Sequence, residues 1–109
     1  MKILIRYQGI TDSPWMNQYF EGRLNRLRRY LAPGAQVDLV LTSLGKSCTG
    51  RLLILTPKHE YQFDGEGGDL FEAFSTVVDE SLRILRRDHQ KLLEKVHQRF
   101  GEGFDVSRP

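Results

Sequence analysis

Apolar and polar positions begin to alternate at the second residue. From Lys2 to Gln8, Ile3, Ile5 and Tyr7 alternate with Lys2, Leu4 and Arg6. A two-residue period is that of a strand with one buried face. The period then changes. Met16, Phe20, Leu24, Leu27 and Leu31 step by four, four, three and four, which lays one apolar stripe along a helix. Asp12 or Ser13 can cap that helix. Pro14 suits its first position, where the missing N–H would be unpaired anyway. The spacing predicts a helix from Pro14 to Leu31, stopped by Pro33-Gly34.

Three more strands follow. Gln36 to Leu44 places Val37, Leu39 and Leu41 on one face, and Gly45 to Gly50 reads as a turn. Arg51 to Thr56 forms the next strand, Pro57-Lys58 a short connection, and Glu60 to Asp64 the last strand, with Tyr61 and Phe63 on one side. Gly65-Glu66-Gly67-Gly68 reads as a loop. Asp69 then opens a final helix, with Glu72 three residues later in the spacing of a capping box. The pattern carries to Phe100, where Gly101 and Gly103 end it. About 31 residues at 1.5 Å each span roughly 46 Å. That exceeds a small sheet, so the helix end is expected to overhang the body.

The order β-α-β-β-β-α predicts an α+β fold, a four-stranded sheet with both helices packed on one face. The 109-residue length suits one domain over residues 1–100, followed by a flexible tail over residues 101–109. No apolar run approaches the ~20 residues of a membrane span. Arg6 interrupts the apolar run Ile3-Leu4-Ile5 before a secretory h-region can form. A cytoplasmic protein is expected. The single cysteine, Cys48, excludes an internal disulfide and a cysteine-based zinc site, and His59, His89 and His97 are not paired at metal-binding spacing. No metal or cofactor is expected.

Net charge is only +2, but its distribution is uneven. Arg23, Arg26, Arg28 and Arg29 follow one another with no acid between them. Arg83, Arg86, Arg87, Lys91, Lys95 and Arg99 face only Asp88 and Glu94 within their stretch. Glu60, Asp64, Glu66, Asp69, Glu72, Asp79 and Glu80 make the segment between these two basic runs acidic. Local runs of one sign imply a charged face.

Helical geometry shows where that face lies. With Arg83 at 0°, Arg87 falls at about 40°, Lys91 at 80° and Arg86 at 300°, while Phe74, Val78, Leu85 and Leu92 gather near 180–220°. Ile84, at about 100°, is the apolar exception on the basic side. On the first helix, Arg26 and Arg29 point away from the apolar stripe and Arg23 lies on its flank. Together the helices are expected to present Arg23, Arg26, Arg29, Arg83, Arg86, Arg87 and Lys91 outward. Guanidinium groups grip phosphate oxygens in two-point contacts, so this set is the candidate RNA-binding surface.

Other motifs carry less. Gly45-Lys46-Ser47 resembles the end of a phosphate-binding loop, but Val40 stands where that motif needs glycine, and a strand follows. Acids flank the glycines before the last helix and would repel a phosphate. His89 falls at about 240°, among the apolar positions, and is expected to pack against the body. Trp15 and Tyr19 are likewise expected to pack, and Cys48 to be passive. Asp79 and Glu80 diverge by about 100° and make a poor acid–base pair. No serine has a nucleophile's surroundings. No catalytic residues and no small-molecule substrate are expected, so the chain does not read as an enzyme.

The final helix, Gly68-Asp69-Leu70-Phe71-Glu72-Ala73-Phe74 followed by Val78-Asp79 and Arg83-Ile84-Leu85-Arg86-Arg87, resembles the ribosome hibernation promoting factor family, which includes ribosome-associated inhibitor A. The family opens this helix with Asp-Met-Tyr-x-Ala-Ile-Asp and continues with Val-Asp and a basic stretch. Arg23-Leu24-Asn25-Arg26-Leu27-Arg28-Arg29-Tyr30-Leu31 is similar to the family's Lys-Leu-x-Lys-Leu-x-Lys-Tyr-Phe. The resemblance covers roughly residues 1 to 95. Phe74-Ser75 departs from the family's Ile-Asp, Glu80 stands where a basic residue is common, and Gly22 replaces a frequent lysine.

The resemblance implies the same β-α-β-β-β-α fold and a non-enzymatic role. Its expected partner is the small ribosomal subunit and its rRNA, bound in the decoding channel where tRNA and mRNA would sit. The expected action is translation inhibition under stress, with the seven basic residues above as rRNA contacts. Without a second, dimerising domain the chain resembles a short form and is expected to be monomeric. The alternatives are an RNA-binding module or a protein-interaction module of the same fold that does not act on ribosomes.

Overall fold

The computed structural model describes residues 1–11 and 13–100, with the side chains of 96–100 excepted. Strand β1 is Lys2–Gln8, helix α1 Pro14–Leu24, and a 3-10 segment Asn25–Tyr30 continues it. Strands β2 (Gln36–Ser43), β3 (Cys48–Leu55) and β4 (Glu60–Gly67) follow, then helix α2, Leu70–Phe100. The sheet order is β1-β2-β3-β4. β1 runs parallel to β2 with Lys2 opposite Gln36, and the two hairpin pairings are antiparallel. The α+β architecture expected from the pattern is the one found.

Both helices cover the same face of the sheet. Phe20, Leu24 and Leu27 from the first helical stretch join Val37, Leu39, Leu41, Leu52, Ile54 and Phe63 from the strands and Phe74, Val77, Val78 and Leu85 from α2 in one core. Phe20 is fully buried, and its ring centroid lies 4.5 Å from that of Phe74, closing the seam between the helices. Burying each such side chain contributes about 1.5–3 kcal/mol. The alternate strand positions, among them Leu4, Arg6, Asp38, Arg51 and Asp64, form the open face of the sheet.

The first helix differs from its sequence reading. It is α-helical only to Leu24 and then tightens. The step of three from Leu24 to Leu27 to Tyr30 explains this. A 3-10 turn eclipses residues three apart, so it keeps Leu24 and Leu27 fully buried and Tyr30 half-buried on one line. A continued α-helix would rotate them apart. Ser13 stands at the N-cap but its hydroxyl makes no cap bond; its carbonyl accepts the N–H groups of Met16 and Asn17. Asp12, the other proposed cap, and the proposed tail over 101–109 lie outside the described residues.

β4 is longer than expected. Gly65, Glu66 and Gly67 continue the strand instead of forming a loop. A Cβ on Gly67 would fall 2.5 Å from the backbone nitrogen of Ala73, and one on Gly65 would fall 3.0 Å from that of Val77. Glycine here lets α2 lie directly on the sheet. Asp69 caps α2 as expected, its Oδ1 accepting the Glu72 N–H at 2.8 Å. Cys48 is the buried first residue of β3 and not part of a turn. Leu85 is the last described buried residue of α2, whereas Leu92 is 59% exposed, so the helix overhangs the sheet as its length predicts.

Candidate nucleic-acid interface

All seven candidate basic side chains are exposed, but the structure does not gather them into one cluster. Arg26, Arg29 and Arg86 line a cleft of about 400 Å³ between the 3-10 segment and α2, with Asn25, Tyr30 and Leu82. The 3-10 geometry creates this grouping. Residues three apart eclipse at about 2.0 Å rise per residue, so Arg26 and Arg29 stand in one row about 6 Å apart along the axis. An α-helix would splay them by about 60°.

Tyr30 organises the cleft. Its hydroxyl accepts the Arg86 Nε–H at 3.1 Å, and the guanidinium carbons of Arg29 and Arg86 each lie 6.0 Å from its ring centroid. Arg86 is thus held by one edge. Its terminal amines make no other bond among the described residues and remain available to fork a phosphate. Tyr30 was not among the sequence candidates. The signal was its position three residues after Leu27, on the buried line of the 3-10 turn.

The other four candidates are placed differently. Arg23 lies 5.2 Å over the Tyr19 ring, on the flank of α1. Arg83 is tied along its own helix to Glu80 by bonds of 2.8 and 3.3 Å. Those bonds and the Arg83 charge hold the Glu80 carboxyl below the usual range and raise the Arg83 pKa. Arg87 approaches Asp88 at 3.6 Å. Asp88 also accepts the Tyr61 hydroxyl at 3.0 Å, and burial followed by that bond pushes the phenol above its ordinary pKa. Lys91 lies elsewhere, on a larger depression of about 550 Å³ beneath the α2 overhang, among Leu85, Leu92, Lys58, His59 and Lys95.

The acidic segment divides. Glu60, Asp64 and Glu66 lie on the open side of β4, opposite the face that α2 covers. Asp64 pairs there with Arg51 at 2.9 Å, and the Arg51 bond lowers its pKa. The acids nearest the basic face are those of α2 itself, led by Glu80. Two packing expectations change. His89 is exposed, with its ring edge-on to Tyr30 at 5.8 Å. Trp15 and Tyr19 are also exposed, at 57% and 39%, because they lie on the α1 flank facing Phe71 and outside the buried stripe.

Among the described residues there is no group of three or more His, Cys, Asp or Glu side chains that could hold a metal. No described helix is long and apolar enough to cross a membrane.

No protein-family model and no curated protein matches the sequence. Solved structures do match. The N-terminal domain of Protein Y from Thermus thermophilus superposes with a TM-score of 0.72 at 24% identity, covering 80% of this chain and 98% of that one. A ribosomal subunit interface protein from Coxiella burnetii superposes with a TM-score of 0.69 at 16% identity, covering 80% and 96%. This chain shares the fold of these two proteins over four-fifths of its length.

Proposed function

We propose that this protein binds the ribosome through its helix-covered side and inhibits translation by occupying the decoding channel of the small subunit. The observation that carries the reading is the cleft of Arg26, Arg29 and Arg86 around Tyr30, on a fold shared with a ribosomal subunit interface protein. Three guanidinium groups on two adjoining helical elements suit a curved phosphate backbone better than a small solute. Tyr30 already restrains Arg86, which lowers the cost of ordering that side chain on binding. Arg23, Arg83, Arg87 and Lys91 extend the contact on either side. The action is steric, with no bond made or broken, so no catalytic group is needed. Residues 1–100 act as one monomeric binding domain in the cytoplasm, in the manner of a hibernation factor that acts under stress.

Co-sedimentation with purified small subunits tests this. The wild type is expected to travel with the subunit at low salt. A variant carrying Arg26→Glu, Arg29→Glu and Arg86→Glu is expected to stay at the top of the gradient while keeping its helical circular dichroism. Equal sedimentation of both proteins would remove the cleft from the mechanism. Absence of the wild type from the subunit fraction at every salt would remove the ribosome.

A second reading, a protein-interaction module of the same fold, is favoured by the depression under the overhang, where Leu92 lies exposed beside Leu85 and Tyr30. Salt separates the two readings. About six phosphate contacts lose roughly three decades of affinity between 50 and 200 mM salt, whereas an apolar protein interface responds little.

A further inference from the structure

Trp15, Tyr19 and Phe71 form an exposed aromatic group that the arginine cleft does not include. Trp15 is 57% exposed, and Tyr19 and Phe71 are each 39% exposed. The rings are ordered against one another. Trp15 stacks on Phe71 with centroids 6.0 Å apart and planes 17° from parallel, and Tyr19 meets Phe71 edge-on at 5.5 Å. Phe71 rests in turn on the fully buried Phe20 at 5.6 Å. The group is therefore a ledge fastened to the core through Phe71 and Phe20, with more than half of the Trp15 surface open.

Its position assigns its occupant. Trp15, Tyr19 and Arg23 step by four along α1, so they share one flank, and about 12 Å of helix separates the first from the last. Arg23 lies over the Tyr19 ring and joins the ledge to the row of Arg26 and Arg29. Glu21, the one acid in α1, falls about 160° from Tyr19, on the other side of the helix. On α2, Glu72 is turned about 100° from Phe71, whereas the exposed Asp79 falls within about 20° of Arg86, on the α2 side of the same seam. The seam between the helices thus runs from the aromatic ledge, past Arg23 on the α1 side and Asp79 on the α2 side, to the guanidinium groups of the cleft. A nucleic acid strand with unpaired bases has the matching order, since every base offers a π-face and every phosphate a charge.

We propose that the Trp15–Tyr19–Phe71 ledge stacks an unpaired base of a single-stranded RNA whose phosphates lie on Arg23, Arg26 and Arg29. This rests on the reading of the helix side as an RNA surface and adds to it a preference for unpaired nucleotides. A duplex keeps its bases stacked and cannot use the ledge without opening.

Trp15 is the only tryptophan, so its emission reports the ledge directly. The probes are a single-stranded RNA of about eight nucleotides, the same length of RNA backbone with abasic sugars, and a blunt RNA duplex. The intact strand is expected to quench Trp15 emission, and the abasic backbone is expected to bind without quenching. With a fluorescent end label and anisotropy as readout, Trp15→Leu and Phe71→Leu should each weaken the intact strand about tenfold and leave the abasic strand unchanged. Trp15→Leu changes a largely exposed side chain, so its fold is kept if Phe71→Leu disturbs the core.

Equal binding of intact and abasic strands, with no quenching, overturns the ledge and leaves the RNA surface standing. No binding of any nucleic acid overturns both. A Trp15 emission shift with protein concentration alone, accompanied by dimerisation, overturns the ledge in favour of a patch covered by a second copy.

Discussion

The Arg86 guanidinium donates its Nε–H to the Tyr30 hydroxyl at 3.1 Å, bridging residues 56 apart in sequence. The bond is exposed, so its net effect on stability is small, at most about 1 kcal/mol. Its effect on binding is to order a long side chain before the ligand arrives. Tyr30→Phe keeps the ring and removes the acceptor. It should leave the thermal midpoint almost unchanged and weaken small-subunit binding two- to tenfold, since ordering one such side chain costs about 0.5–1.5 kcal/mol. Tyr30→Ala also removes the ring beneath Arg29 and Arg86 and should cost more in both respects. Unchanged affinity in Tyr30→Phe would show that the bond plays no part in binding.

Glu80 restrains Arg83 through two hydrogen bonds. A carboxylate there both neutralises the arginine and repels phosphate. Glu80→Gln removes the charge at nearly constant size. The expected result is tighter RNA binding, by a few fold, and a salt slope steeper by about 0.7–0.9 if Arg83 gains a phosphate. Affinity measured at several salt concentrations checks this. A shallower slope in Glu80→Gln would mean that Arg83 needs its acid for orientation.

The order of elements was legible because it rests on local periods. Ile3, Ile5 and Tyr7 mark a strand, and Met16, Phe20 and Leu24 mark a helix. The 3-10 turn was present in the step from Leu24 to Leu27, but a step of three also occurs in an α-helix, so the pattern alone cannot separate them. Gly65 and Gly67 read as a loop because glycine usually breaks a strand; the backbone of α2 above them is a long-range fact. The outward direction of the arginines followed from angles along each helix. Which of them meet depends on how the helices cross. That crossing brings Arg86 to Arg26 and Arg29 over Leu82 and leaves Lys91 on another depression. The exposure of Trp15 has the same origin, since its partner Phe71 is on the other helix.

Two glycines should respond in opposite directions to alanine. At Gly67 the new Cβ would lie 2.5 Å from the Ala73 nitrogen and 2.7 Å from the Glu72 Cβ. The start of α2 must then lift from β4, at about 1–3 kcal/mol. At Gly22, on the exposed side of α1, nothing lies within 4 Å. Alanine there should stabilise by about 0.4–1 kcal/mol, through helix propensity and a less flexible unfolded chain. Denaturant unfolding of both variants measures the contrast. A neutral Gly67→Ala would contradict the close approach.

Tyr61 links stability to alkaline pH. Burial, then its bond to Asp88, raises its folded pKa above the ordinary value. The folded state therefore holds the phenolic proton more tightly than the unfolded chain does. The stabilisation is fully present below the unfolded pKa of about 10 and is lost as pH rises from there through the higher folded value. Tyr61→Phe should be less stable than the wild type at neutral pH, and the gap should narrow above about pH 10. Unfolding midpoints across pH 7–11 test this. A constant gap would remove Tyr61 from the linkage.

The two faces of the protein should separate in a salt titration. Arg26 and Arg86 line the cleft on the helix side, whereas Arg6 is exposed on the open side of the sheet. All three are single positive charges, so replacement by glutamine changes the net charge of +2 equally. A ligand attracted only by net charge would respond alike to all three. A ligand seated in the cleft would not. Each cleft variant should reduce the magnitude of the slope of log affinity against log salt by about 0.7–0.9, one phosphate contact, and lower affinity at low salt. Arg6→Gln should leave both quantities at their wild-type values, because the sheet lies between Arg6 and the cleft. Loss in Arg6→Gln equal to that in Arg86→Gln would move the contact off the helix face, and the arginine cleft would no longer explain binding.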